Sequence, residues 1–570
     1  MRSICIYSGE QNWGFQGKIK ANSLFNMDET QESEVKTIKE EITPFSQRDI
    51  TQLIEKCGFG PFQCWFYTFL FATRLFTVMS AMSLAFITAN VPFVCYPPNY
   101  DTSAIPAAFT ENEYLQLFQP EDDHCSLYNN TLTEIFRSTS TVNLSKIPCS
   151  YGRKFLTENF STVVSEFDLV CGKKWLKSTL QSVYFVGYLI GSIIFGVLSD
   201  RFGRKLTFFM SNTFFAVCGI SKIFMPSSIA FMIFHCMQAS GFMGISISTY
   251  ALNLEFAPSR YRTPLSFVHM SMYTFTSMLL PAFAYAIPNW HYLELTVCLL
   301  PLANCFLWNC LLESPRWLIG RKRFRETKEL LEKMMMKNNL DHQEVFNVFW
   351  EDITKERKPV KRRWSSEKTY SFIDLFKTVQ MATITINICF SWCVISMLYY
   401  GVTLNSVDMA GNRYVNFLLM ILVEFPSHIS AYYLFRFFDH RKPISFFMTF
   451  SGLNCIVSNF VAEGSFWFPL AMVILGKFGI SAAFASIYLL SAEIFPTVVR
   501  GNGLGVASMF ARFGSIFAPF ILQLSSYVRW LPLSVYGLLS VVAGLLLLCL
   551  PETKHRDLPQ TFDDLKAWKK

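Results

Sequence analysis

The chain is poor in charge. Asp, Glu, Lys and Arg make up 16% of its 570 residues, against about 25% in an ordinary soluble domain. Hydrophobic residues reach 51%, and Phe alone occurs 58 times, a composition suited to lipid as the main solvent. Catalytic signatures are missing too. There is no phosphate-cradling loop ending in Lys-Ser/Thr, no H-E-x-x-H and no G-x-S-x-G, so neither direct ATP hydrolysis nor a hydrolase set is supported. The 16 cysteines show no zinc-ligand spacing. The chain thus reads as no enzyme, with no cofactor and no metal implied. Its net charge of +8 is spread over short loops, which marks membrane topology and no nucleic-acid face. Residues 1–65 hold no apolar signal core; the first hydrophobic helix would serve as the membrane signal, and residues 1–45 read as a flexible cytosolic tail.

What is present in abundance is long apolar runs. A membrane-spanning helix needs about 20 mostly apolar residues. Such stretches fall near 66–90, 177–198, 206–225, 229–254, 265–286, 293–312, 381–403, 413–435, 443–461, 467–492, 504–526 and 531–550, the third and ninth being interrupted by polar residues. In lipid the backbone must satisfy its own hydrogen bonds, so these are helices. The expected fold is an all-α membrane protein of twelve transmembrane helices.

Two polar segments break the pattern. Residues 91–175 hold six Lys/Arg against ten Asp/Glu, and residues 314–380 hold sixteen against ten. The short turns with Arg201, Arg204 and Lys205, with Arg260 and Arg262, and with Arg436, Arg441 and Lys442 fall on the same side as 314–380, which is cytosolic by the positive-inside rule. Both termini are then cytosolic, the loop 91–175 is extracellular, and the plasma membrane is the expected location. Three sequons in that loop, at Asn129, Asn143 and Asn159, agree. So do Cys95, Cys125, Cys149 and Cys171, which in an oxidising compartment suggest two disulfides with three possible pairings.

The chain also repeats itself. Tyr250-Ala-Leu-Asn-Leu-Glu255-Phe-Ala-Pro258-Ser-Arg-Tyr-Arg262 recurs as Tyr488-Leu-Leu-Ser-Ala-Glu493-Ile-Phe-Pro496-Thr-Val-Val-Arg500, an offset of 238. Asp200 and Asp439, and Glu313 and Glu552, are offset by 239. This makes a duplicated six-helix unit whose halves share one orientation, with a cleft between them that rocking would expose to alternate sides. The domains follow: a tail at 1–65, a bundle at 66–313 that includes the loop 91–175, a cytosolic central loop at 314–380, a second bundle at 381–551, and a tail at 552–570.

Gly196-Val-Leu-Ser199-Asp200-Arg201-Phe-Gly203-Arg204-Lys205 resembles the signature of the major facilitator superfamily, in which this loop latches the halves in the outward-facing state. Gly203 suits a tight turn. The second-half equivalent, Asp439-His440-Arg441-Lys442, lacks that glycine and is two residues shorter. Within the superfamily the chain is similar to the organic cation, organic anion and carnitine transporters, solute carrier family 22, over about residues 50–565. The resemblance rests on Cys57-Gly-Phe-Gly60-Pro-Phe-Gln63, Glu166-Phe-Asp-Leu-Val-Cys171, Glu313-Ser-Pro-Arg316-Trp317, Asn405-Ser-Val-Asp-Met-Ala-Gly411 and Ala492-Glu493-Ile-Phe-Pro496-Thr-Val-Val-Arg500. Leu404 to Asn416 and Gly476-Lys477-Phe478 resemble the carnitine branch. The implied function is transport of small organic ions by alternating access, with Asp200, Arg201, Gly203, Arg204, Glu255, Arg262, Asp439, Glu493 and Arg500 as gating residues.

Ionisable groups within apolar helices are expensive and mark function. Arg512 lies about eight residues into the eleventh stretch. At this place the family's cation carriers tend to have Asp and its anion and carnitine carriers Arg, and an Arg fork holds a carboxylate bidentately. The expected solute is therefore a carnitine-like zwitterion or an organic anion. A plain organic cation is the alternative within transport, and a non-transporting receptor or scaffold the alternative outside it. Lys477 adds a positive field or pairs with Glu424, which stands i,i+4 from His428. Trp392, Tyr399 and Tyr400 share a helical face and, with Tyr273 and Phe484, resemble the family's aromatic pocket, which can hold a quaternary ammonium. Arg74, about nine residues into the first stretch, is placed to snorkel to the cytosol. The glycines of Gly187-Tyr-Leu-Ile-Gly191 form a close-packing helix motif. The partners implied are the organic ion, the bilayer and a co-transported or exchanged ion.

Overall fold

A computed structural model of the chain describes residues 47–98, 100, 110–120, 124–129, 145–156, 160–339, 350, 371–460, 467–554, 559–560 and 562–567. Asn143, Asn159, the tail to residue 46 and most of the central loop lie outside them.

Each of the twelve apolar stretches falls on a helix. The first half holds α1 (Pro61–Ile87), α2 (Lys174–Phe202), α3 (Arg204–Ser221), α4 (Ser228–Glu255), α5 (Ser259–Ala286) and α6 (Trp290–Leu299), the last continued by a tighter turn over Leu300–Leu307. The second half holds α7 (Val379–Asn405), α8 (Arg413–Phe437, re-started at Glu424), α9 (Arg441–Val457), α10 (Trp467–Ile494), α11 (Arg500–Gln523) and α12 (Leu531–Leu547). Among the described residues nine helices are long and apolar enough to cross a membrane; α5, α9 and α12 are not among the nine, α12 being a shorter apolar helix.

The helix starts follow from local chemistry. Pro61 opens α1, and Gln63 accepts the Gly60 N–H at 3.0 Å, while the Asn338 side chain accepts the Phe62 N–H at 3.0 Å. This caps donors that a helix end leaves orphaned. Between α2 and α3 the chain turns at Gly203 with φ 98, where a Cβ would run into the Glu313 carboxylate. That carboxylate accepts the N–H groups of Arg204 at 2.9 Å and Lys205 at 3.2 Å, so it caps α3. In the second half Glu552 accepts the His440 N–H at 2.9 Å where α9 begins. The two repeat-ending glutamates thus do the same work in both halves.

Helices within each half cross closely on glycine. Gly187 and Gly191 of α2 face the backbone of α4 at Cys236 and Ser240, and Gly452 of α9 faces Gly537 of α12. Close approach of this kind gives packing where lipid supplies no hydrophobic drive.

The loop between α1 and α2 carries two short two-stranded antiparallel sheets. β1 (Phe93–Cys95) pairs antiparallel with β4 (Arg153–Phe155), and β2 (Ser126–Tyr128) with β3 (Lys146–Pro148). Of the three possible cysteine pairings the structure has Cys95–Cys149 and Cys125–Cys171, over a small core that includes Phe118 and Leu127.

Candidate functional site

The residues expected to gate fall into two clusters, one in each half. In the first half Arg204 bonds Glu255 at 3.0 Å and Asp200 at 3.1 Å; in the second, His440 Nδ1 lies 2.6 Å from Glu493. Arg262 and Arg500 each donate Nε to a carbonyl five residues back, Ala257 at 3.4 Å and Phe495 at 3.2 Å. Arg201 lies over the Phe202 ring, and its carbonyl accepts from Arg321. Asp439 pairs with Lys442 at 2.6 Å, which holds its carboxyl below the usual range. Burial pushes the Glu313 carboxyl up, against the opposing pull of its three backbone N–H donors.

These clusters close within their own halves. Asp200 is 79% exposed, and among the described residues it makes no ion pair to the second half. On the side of the cysteine-bearing loop the halves are joined instead. Asp408, beyond α7, accepts from Lys177 Nζ of α2 and from the Asn90 N–H, both at 2.8 Å. Deeper in, Ser182 Oγ of α2 donates to the Ile516 carbonyl of α11 at 2.7 Å.

Between the halves lies a cavity of about 330 Å³, within the ~300–1,000 Å³ of small-molecule sites. Arg512, Tyr399, Tyr400, Phe484, Tyr273, Glu424 and His428 all line it. Two other candidates do not. Trp392 is buried behind the wall, edge-on to Tyr488 at 4.3 Å, its indole N–H given to Ser491 Oγ at 2.9 Å. Lys477 is buried too, 2.9 Å from Glu424 Oε1, bonded to Thr403 Oγ1 at 2.8 Å and 3.3 Å from the Tyr399 ring centre. Its charge is matched locally. Arg512 faces the Tyr188 ring at 5.5 Å, and its Nε has no partner.

The sequence reading missed several wall residues. Arg74 does not snorkel: it is 9% exposed, lines the cavity and bonds His269 Nε2 at 2.6 Å and Ser246 Oγ at 3.1 Å. Tyr188 lies inside the glycine motif of α2; the glycines pack on α4 while the tyrosine lines the cavity. Tyr250 and Tyr488, the opening residues of the repeated motif, both line it as well. The repeat was the signal for those two, since symmetric positions in facing halves meet across the cleft.

Two duplicated helical bundles around one central polar-aromatic cavity define a major facilitator-type membrane transporter. Solved structures agree on the fold: the xylose transporter XylE from E. coli in its inward-open conformation has a TM-score of 0.52 at 16% identity, covering 69% of this chain and 88% of that one. Its partially occluded inward-open form gives 0.53 at 17% identity. The family model "Sugar (and other) transporter" matches residues 97–562. The organic cation transporter protein of Drosophila melanogaster is 32% identical over 89% of this chain and 92% of its own length. Human solute carrier family 22 member 13 is 31% identical over 79% and 78%, and human organic cation/carnitine transporter 2 is 28% identical over 91% and 94%. The chain belongs to the major facilitator superfamily and, within it, to solute carrier family 22.

Proposed function

We propose that the chain is a plasma-membrane carrier that moves small organic ions bearing an anionic group, carnitine-like zwitterions or organic anions, by alternating access. The observation that carries this reading is Arg512: it lines the cavity, and no carboxylate among the described residues pairs with it, whereas Lys477 is neutralised by Glu424. A guanidinium that has only the Tyr400 hydroxyl and aromatic rings beside it, and no carboxylate, in a low-dielectric cleft favours a carboxylate held by charge-assisted bonds. The rings of Tyr188, Tyr400 and Phe484 shape the rest of the cleft and suit an aromatic or quaternary ammonium moiety. In this reading twelve helices span the membrane, both termini and the gating clusters are cytosolic, the loop 91–175 is extracellular and glycosylated, and the exposed Asp200 marks an open latch, that of an inward-facing state. A co-transported or exchanged ion would complete the cycle.

The test is uptake of carnitine, an aromatic carboxylate and a quaternary amine, with and without a sodium gradient, in cells expressing the wild type or Arg512→Ala. Loss of a charged hydrogen-bond pair is worth about 1.5–3 kcal/mol, so the preferred anion-bearing substrate should fall at least about tenfold. Unchanged uptake of all three removes the assignment. A second reading, transport of a plain organic cation, has Glu424 in its favour, because that carboxylate also lines the cavity; a quaternary amine taken up alone, and insensitive to Arg512→Ala, would establish it.

A further inference from the structure

Three charged side chains line the cavity: Arg74, Glu424 and Arg512. Glu424 is balanced by Lys477 behind it. The wall therefore carries two unbalanced guanidinium groups, one from each half. Arg74 spends Nη1 on His269 and Nη2 on Ser246, and its Nε has no partner. A guanidinium has five donors, so most of its fork is free.

His269 holds Arg74 without neutralising it. A guanidinium can only donate, so His269 Nε2 accepts and its Nδ1 carries the proton. Asn253 Nδ2 lies 2.7 Å from Nδ1; an amide nitrogen cannot accept that proton, so this tautomer requires the Asn253 amide turned over to present its oxygen, an exchange of N for O that leaves the position of the side chain unchanged. The imidazole is locked as a neutral acceptor, and the positive charge of Arg74 stays available to the cleft. Burying two uncompensated cations is costly, and a single monoanion at Arg512 would leave one of them unmet.

We propose that Arg74 is a second anion-reading residue, so that the cavity prefers solutes with two acidic groups, one at Arg512 and one at Arg74. Such a solute bridges α1 of the first half and α11 of the second. The proposal rests on the reading of Arg512 above. The competing account makes Arg74 a pin that ties α1 to α4 and α5.

Uptake of adipate and hexanoate, which share a chain length and differ in one carboxylate, separates the two. The readout is the adipate-to-hexanoate ratio, normalised to surface expression, in wild type, Arg74→Gln, Arg74→Lys and Arg512→Gln. Loss of one charged contact predicts that Arg74→Gln lowers the ratio about tenfold and that Arg74→Lys restores part of it. Arg512→Gln should lower uptake of both acids. A ratio unchanged in Arg74→Gln, or a wild type with no preference for adipate, overturns the second site. Insensitivity of both acids to Arg512→Gln would instead strike the underlying reading, whatever Arg74 does.

Discussion

Lys477 Nζ stands 2.9 Å from Glu424 Oε1, with both side chains sealed from solvent. The other carboxylate oxygen, Oε2, accepts from Thr274 Oγ1 of the opposite half at 2.8 Å. A charge that would be expensive alone is thereby matched at the cavity wall, and the match decides which cations remain free to meet a solute.

Removing one partner of a buried pair strands the other, at a cost of about 3–5 kcal/mol, whereas replacing both with groups of similar volume is often near neutral. Glu424→Gln and Lys477→Met should each lower the melting temperature of the purified protein markedly, and Glu424→Gln/Lys477→Met should recover most of the loss. A double variant no more stable than the worse single one would show that the two charges are not coupled.

The glycines of α2 give a second expectation. A Cβ at Gly191 meets the Ser240 backbone, which cannot yield as a flexible side chain can, while a Cβ at Gly196 meets nothing within 4 Å. Overpacking costs about 1–3 kcal/mol or more, and Gly→Ala in an open helical site gains up to about 1 kcal/mol. Gly191→Val should abolish the monodisperse peak in fluorescence-detected size exclusion, and Gly196→Ala should keep it or raise it. Equal behaviour of the two would contradict the crossing.

Much of this was legible because lipid leaves the backbone so few choices. Apolar runs had to be helices, and charged residues inside them, such as Arg512 and Glu424, stood out against them. Depth was harder to read. The apolar run opens at residue 66, but α1 begins at Pro61 and has 27 residues, so Arg74 sits near its middle and cannot reach the end. Trp392 shares a helical face with Tyr399, yet Tyr488 of α10 stands across it, a screening that no spacing within one helix reveals. Which of the three cysteine pairings forms depends on strands that meet only in the folded loop.

If the loop between α1 and α2 is extracellular, Asn129 is open to modification. Asn129 is exposed beside β2, and its backbone N–H is held by the Ser145 carbonyl at 2.9 Å. Asn129→Gln should remove one glycan, seen as a step in gel mobility that disappears after endoglycosidase treatment. A wild-type chain that carries no endoglycosidase-sensitive mass would place the loop on the other side of the membrane.

The pair Lys177–Asp408 gives the last expectation. Their side chains are 11% and 19% exposed, so the pair is shielded more than a surface bridge, and Asn90 adds its N–H and its side-chain oxygen to the same knot. Charged hydrogen bonds of this kind are worth about 1.5–3 kcal/mol, and one or two kcal/mol is a factor of roughly 5–30 in a two-state ratio. Asp408→Asn keeps the shape and weakens the knot, so the loop side should open more often. A cysteine placed at Ser182, whose hydroxyl reaches the Ile516 carbonyl across the interface at 2.7 Å, reports this through its reaction with a membrane-impermeant thiol reagent added outside. In the Asp408→Asn background that reaction should quicken several-fold over the same cysteine with Asp408 intact, after subtraction of the native thiols. The charge-free pair Lys177→Met/Asp408→Asn should quicken it as much, because the clasp needs both partners. An unchanged rate in both would mean that this contact does not hold the halves together.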